Sequence, residues 1–342
     1  MVKTLPFPEF LRALQLPALN RNLFSSPEWM TVLARTYGTR IEVKYIERDG
    51  RVDAWVFYAV VKNFLEWKIC VCSYCDYCDG FVSRPEDWQL FLEAFRKEFP
   101  QYRIAVRNLR DPLVRENPAF KVLSEEYFHL LDVRDDLDTL WQRTHDSFQR
   151  GVRKAEKHNL TVRVAEKARL KDFFQMHLRL RKFKYRLFAQ PYRFLEIIWE
   201  EYMEKNQGFL LGAFDQQDRM IAANVYLICG NTLYYKFNTS RLNALIDRPN
   251  NLLLWEGIKL AKKNQLEFLD LGSSGLDQEG LVRFKDHSGA QRMKITHLGF
   301  APPGYKFSQK RILRTFTNFC TLPWLPDGVS QWGSDIIYPY LA

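Results

Sequence analysis

Asp270, Ser273 and Lys285 fall within one stretch, Leu266–Gly289, whose residue types could do chemistry together. The apolar run Leu266, Phe268, Leu269 and Leu271 reads as a buried strand. Gly272, Ser273, Ser274 and Gly275 then read as a turn, small residues that let backbone and ligand come close. A short helix carrying Phe284 and Lys285 follows. A lysine soon after such a strand end sits where open α/β sheets bind ligands, outside the carboxyl ends of the strands. A second segment, Thr232–Ser240, is a strand by its aromatic and β-branched content and contains Tyr235. After the loop RLNALIDRPNN, a helix runs from Leu252 with Asn250 and Asn251 near its cap. Its free backbone N–H groups form a ready anion site, and an ordinary capped helix is the competing reading.

Several reaction classes lack their usual parts. There is no GxSxG, Walker A loop or GxGxxG, and the six histidines (129, 145, 158, 177, 287 and 297) show no HExxH pattern. Attack of an amine on an activated acyl group needs less machinery. It requires positioning, a proton acceptor, and a cation or N–H group to stabilise the developing charge. Four of the six cysteines, Cys70, Cys72, Cys75 and Cys78, crowd into CVCSYCDYC. Zinc sites usually join two separated pairs, and one short loop closes a tetrahedron poorly, so no metal is expected.

Charge is concentrated. Between Trp141 and Arg193 stand 15 Lys/Arg against 4 Asp/Glu, a net of +11, while the whole chain carries +10. Arg143, Arg150, Arg153, Lys154 and Lys157 open this segment. Such a surface suits a polyanionic partner, nucleic acid, nucleotide-linked substrate or anionic lipid. A solvated helix face is the alternative.

The elements that must position these residues come in two sets. At 342 residues, with a hydrophobic share of 46%, the chain is expected to form two globular domains. Tyr45–Val61 aligns without gaps to Gly212–Ile228, each reading as strand, polar turn and strand. Helices are expected before them, at Pro27–Tyr37 and Tyr192–Asn206. Helix then strand is expected after them, at Trp88–Phe99 with Tyr102–Arg107 and at Leu252–Asn264 with Leu266–Leu271. Similar order at similar spacing points to two copies of one α/β unit. The boundary is placed near residue 135, giving domains 1–135 and 136–342. A basic amphipathic helix capped by Asp136 or Asp138 opens the second, its inward face running Leu137, Leu140, Trp141, Thr144, Phe148, Val152 and Ala155. The basic, aromatic tail YKFSQKRILRTFTNFCTLPWLP is read as a C-terminal helix packed on the body, with peripheral membrane contact as the alternative. No apolar run approaches the ~20 residues needed to span a bilayer, and no targeting segment is visible, so the expected location is cytoplasmic.

The pattern WQRTHDSFQRGVRKAEKHNLTVRVAE, then GFLLGAFDQQDRMIAANVYL, LYYKFNTS, FLDLGSSG and GLVRFKDHSGA resembles the FemABX-like branch of the GNAT acyltransferase superfamily. It does so in detail over about the last two thirds of the chain. The resemblance implies tandem GNAT domains of mixed α/β sheets. It also implies transfer of an acyl or aminoacyl group onto an amine, often of a cell-wall precursor, with no permanently bound cofactor. Phe284 and Lys285 match the family's Phe-Lys pair, whose lysine is implicated in holding phosphate or the reaction intermediate. SYCDYCDGF resembles the family's substrate-groove loop, which makes Asp76 and Tyr77 contacts. On this reading Lys285 is the cation, Asp270 the proton acceptor or else a strand-end cap, and Tyr235 a hydrogen-bonding group. Phe284 and Ser273 line the substrate. The family's pyrophosphate loop has no match between Arg241 and Asn251, so the expected donor is aminoacyl-tRNA or another bulky phosphate carrier, with acyl-CoA as the other candidate. A polyanion-binding protein that retains the fold without the chemistry is the alternative.

Overall fold

The computed structural model describes residues 1–13, 22–62, 67–71, 74–78, 81–302 and 310–338. The chain forms two compact units, Met1–Glu126 with Lys294–Arg314 and Ile337–Ala342, and Tyr127–Met293 with Thr315–Ile336.

In the first unit, β1 (Val2–Pro6), β2 (Ile41–Arg48), β3 (Arg51–Lys62), β4 (Trp67–Val71) and β5 (Arg103–Asn108) lie side by side in chain order. Only β4 and β5 are parallel, from Lys68↔Arg103 to Val71↔Val106. A parallel pair needs a crossover, which α3 (Pro85–Glu98) supplies. Trp88, Phe91, Leu92 and Phe95 of α3 are buried with Ile104 and Val106 of β5. Two shorter helices, α1 (Phe7–Ala13) and α4 (Pro112–Glu116), accompany α2 (Pro27–Tyr37). Ser26 starts α2 by accepting the Trp29 N–H, Pro27 occupies its first turn, and Gly38 closes it in the left-handed region.

The second unit repeats this order. Strand β6 (Lys121–Asp132) leads into it, followed by α5 (Leu137–Arg143), α6 (Asp146–Lys157), β7 (Thr161–Val164), α7 (Leu170–Arg179) and α8 (Tyr192–Ile198). Next come β8 (Gly208–Phe214), β9 (Met220–Cys229), β10 (Thr232–Ser240), α9 (Pro249–Lys263), β11 (Phe268–Gly275) and α10 (Glu279–Asp286). Its strand order is β6-β11-β10-β9-β8-β7, again with one crossover, α9, between parallel neighbours β10 and β11. Phe148, Val152, Tyr226, Leu253, Trp255, Ile258 and Leu269 fill the core between α6, α9 and the sheet. The last strand, β12 (Gln291–Phe300), pairs antiparallel with β5 of the first unit from Lys294 onward. Helices α11 (Lys310–Cys320) and α12 (Asp327–Ile337) complete the chain. No described helix is long and apolar enough to cross a membrane.

Three local expectations are corrected. The basic helix is two helices, broken at Thr144 and His145, both extended. His145 starts the second by accepting the Ser147 N–H, leaving Arg143 on the first. The strand expected over Leu266–Leu271 runs instead from Phe268 to Gly275, with Gly272 at φ 68 kinking it from within. The helix over Tyr192–Asn206 becomes α8 followed by π-helical Trp199–Met203. The helix expected in the basic tail is α11, with the tail's YKFSQ residues outside the described set, and α12 follows the tail. In the cysteine-rich loop, Cys70 and Cys75 are buried thiols and Cys78 is disulfide-bonded. Cys72, Ser73, Asp79 and Gly80 lie outside the described residues.

Candidate active site

Strands β10 and β11 pair over three residues only, Thr232↔Phe268, Leu233↔Leu269 and Tyr234↔Asp270. Two irregularities part them. Lys236 is an extra residue in the β9–β10 ladder, where the register shifts between Tyr235 and Phe237, and such a bulge bends its strand. On the other side Gly272 adopts a backbone conformation that side chains disfavour, which turns β11. Beyond Tyr234 and Asp270 the strands run on without pairing each other.

Side chains hold the kink of β11. Asp270, 2% exposed, accepts the Gly272 N–H at 2.7 Å. Lys285, 3% exposed, donates from Nζ to the carbonyls of Gly272 at 3.1 Å and Ser273 at 2.9 Å. A fully buried lysine is a rare placement, and here its ammonium is satisfied by the strand it braces. Phe284 is half-buried with its ring 6.2 Å from Phe148, so it joins α10 to α6. Tyr235 is half-buried against Tyr226 at 5.7 Å. Burial, then the neighbouring Tyr226 and Tyr185, push its phenol well above the usual range, so it stays protonated and can donate. Ser273 is half-buried. Asp76 (half-buried) and Tyr77 (buried) belong to the first unit, whereas the other named residues belong to the second.

Helix α9 begins above this opening. Arg248 precedes it in the left-handed region and Pro249 occupies its first turn. A ladder of amides ties that turn to the sheet. Asn238 Nδ2 donates to Asn250 Oδ1 at 3.2 Å and to Asn224 Oδ1 at 2.7 Å, while Asn224 Nδ2 donates to the Tyr226 hydroxyl at 3.0 Å. Tyr226 donates in turn to the Leu253 carbonyl at 3.3 Å. Helix α6 crosses the same turn at Gly151, where a methyl group would stand 2.6 Å from the Asn251 side chain. On α6, Arg150, Arg153, Lys154 and Lys157 share the i, i+3, i+4, i+7 face, opposite buried Phe148, Val152 and Ala155. Arg143, on α5, is instead 2.5 Å from Asp135. The segment before α9, Leu242–Asp247, is a 3₁₀ helix.

Some of the polar groups here carried no local signal. Thr239 Oγ1 on β10 and Ser274 Oγ on β11 are buried without a hydrogen-bond partner on the diverging strands. Ser147 Oγ lies 2.9 Å from His145 Nδ1 and 2.7 Å from His287 Nδ1, and the two imidazoles stack at 4.0 Å. This contact fastens the start of α6 to the end of α10. His129 is fully buried, with Nε2 3.1 Å from Asp286 Oδ1. Burial and then the Lys285 charge lower its pKa to about 4, and burial and then the Arg181 charge do the same for His177 behind β10.

That pair makes acid stability predictable. Both histidines take up protons more readily when unfolded, near pH 6.5, than when folded. Their contribution is fully present above pH 6.5 and is lost as pH falls toward 4. At pH 5 each is expected to cost about 2 kcal/mol relative to pH 7.5. Urea midpoints measured at both pH values check this, and His177→Gln should flatten the pH dependence. Equal midpoints for the wild type would refute it.

Residues 142–286 match the acetyltransferase (GNAT) domain family. No curated protein matches the chain by sequence. Among solved structures, FemX superposes with a TM-score of 0.67 at 13% identity, covering 88% of this chain and 97% of that one. A tandem GNAT protein from the clavulanic acid biosynthesis pathway gives 0.57 at 9% identity, with 90% and 100% covered. L-PGS from Bacillus licheniformis gives 0.54 at 11%, with 92% and 94% covered. Residues 142–286 thus match a GNAT acetyltransferase domain, which supports an acyltransferase, and the fold of the chain is the one shared by FemX and the tandem GNAT proteins.

Proposed function

We propose that this acyltransferase moves an aminoacyl group from aminoacyl-tRNA onto an amine, that of a cell-wall or other envelope precursor. The amine nitrogen attacks the ester carbonyl carbon and the ester C–O bond breaks. The proton lost by the amine passes to Asp270, which hands it to the departing oxygen, so that the donor leaves with a free terminal hydroxyl. Lys285 supplies positive potential to the developing oxyanion, Tyr235 donates a hydrogen bond, and Ser273 and Phe284 line the substrate.

The observation that carries the donor assignment is the basic face of α6 beside the start of α9, next to a loop that is not a glycine-rich phosphate cradle. With Leu242–Asp247 wound as a 3₁₀ helix that contains no glycine, a diphosphate has less access to backbone N–H groups there than in a glycine loop. Exposed Arg150, Arg153 and Lys157 instead offer separated cations suited to a phosphate backbone.

The triple charge reversal Arg150→Glu, Arg153→Glu, Lys157→Glu tests this. It is expected to raise the KM for charged tRNA at least tenfold, to flatten its salt dependence, and to leave kcat within about threefold. Saturable transfer from an acyl-CoA, with charged tRNA inert and the reversal harmless, would overturn the donor assignment.

A further inference from the structure

We propose that the α11–α12 region with the π-helical stretch Leu180–Tyr185 forms a surface that docks on an anionic phospholipid bilayer. The proposal is independent of the donor reading.

Two segments distant in the chain are knitted together by hydrogen bonds from basic residues. Lys182, 1% exposed, donates from Nζ to the Leu325 carbonyl at 2.5 Å and to Asp327 Oδ1 at 2.9 Å. Arg186, left-handed at φ 54, donates to the Asn318 carbonyl at 2.9 Å. Ser334 donates to the Ala189 carbonyl at 2.5 Å. Phe183, Tyr185 and Leu187 flank these bonds in sequence on one segment, and Phe319 and Trp324 flank them on the other.

All of those apolar side chains face outward. Trp324 is 73% exposed, Phe319 and Trp332 are each 57%, and Phe183, Tyr185 and Leu187 lie between 41% and 44%. Solvent-facing large apolar side chains are normal singly; six gathered on two packed segments are not, and such a patch marks an interaction surface.

Charge selects the occupant. Arg179, Arg181, Lys184 and Arg186, with buried Lys182 among them, lie within eight residues that contain no acidic residue. On the other segment Asp327 is engaged by Lys182 and Arg179. Tryptophan, tyrosine and phenylalanine interleaved with lysine and arginine suit the headgroup boundary, where rings enter the acyl edge and cations meet lipid phosphate. A protein partner would need acidic and apolar groups in register, and a nucleic acid would leave outward-facing Leu187 and the tryptophans without a matching apolar phase.

The test uses the full chain with vesicles of phosphatidylglycerol and phosphatidylcholine at 3:1, and of phosphatidylcholine alone. Cosedimentation is expected with the anionic vesicles only, weakening at least fivefold in 0.5 M salt. Trp324→Ala with Trp332→Ala is expected to lower the partition coefficient at least tenfold. Because Trp332 contacts Phe316, with ring centroids 6.5 Å apart, a second measurement separates binding from folding. Brominated phosphatidylglycerol should quench wild-type tryptophan fluorescence, and Trp324→Phe with Trp332→Phe should remove most of that quenching at unchanged melting temperature. No binding to anionic vesicles, unchanged quenching in the phenylalanine variant, or loss of tRNA binding in the alanine variant without any vesicle binding would overturn the proposal.

Discussion

Lys285→Met is expected to reduce acyl transfer below detection and to lower stability by about 2–5 kcal/mol. The reason lies in what the ammonium holds. Its two carbonyl partners, Gly272 and Ser273, sit where β11 is kinked away from β10. Methionine fills the space but leaves both acceptors without that donor, in a region too buried for water to replace it freely. Lys285→Gln separates bracing from charge, because an amide can still donate to a carbonyl. That variant should melt near the wild type yet transfer at least a hundredfold more slowly, a barrier increase of about 2.7 kcal/mol. His129 gives an independent reading, since the Lys285 charge helps lower its pKa from about 6.5 to about 4. Either substitution should move the His129 titration upward, as followed by NMR of its ring protons. Wild-type transfer by Lys285→Gln would show that Lys285 is only a brace for β11.

Much of the scaffold was legible because its signals are local. Ser26-Pro27 before an apolar-periodic run and Gly38 after it mark α2 at its observed ends. Polar Asp49-Gly50 and Gln216-Gln217-Asp218 between apolar runs mark the two hairpins. The break at Thr144-His145 was illegible for a physical reason. Leu140, Trp141, Thr144 and Phe148 keep helical spacing straight across it. What stabilises the break is a cap by His145 and its stacking on His287, which is remote in the chain. The kink at Gly272 was similarly misread. Glycine and serine spell a turn locally, but Asp270 and Lys285 satisfy the bent backbone, so the strand persists. The candidate site divides in the same way. Lys285 and Asp270 stand out beside a strand with a small-residue run, whereas Thr239 and Ser274 lie on different strands, past the three-residue pairing of β10 with β11, and no local pattern links them.

Gly257→Ala is expected to cost more than any other single-methyl change in the second unit. The added carbon would stand 2.2 Å from the Tyr226 hydroxyl and 2.6 Å from its ring carbon Cζ. Neither can yield cheaply. Tyr226 is 0% exposed, and its hydroxyl is fixed by the Asn224 amide and the Leu253 carbonyl. Either the ring shifts and breaks those bonds or α9 lifts from β9. Overpacking of this kind costs about 1–3 kcal/mol, and loss of a buried hydrogen bond adds about 1 kcal/mol. The functional effect should exceed the stability effect, because Asn224 connects through Asn238 to Asn250 in the first turn of α9. A lifted helix therefore shifts Asn251 against Gly151 of α6, whose basic face is assigned to the donor, raising the donor KM at a temperature where the variant is still folded. Tyr226→Leu makes room for the methyl, so Gly257→Ala combined with it should destabilise by less than the two single changes added together, by at least 1 kcal/mol. Additive losses, or a Gly257→Ala variant with wild-type melting and KM, would show that α9 does not depend on this close approach for its position.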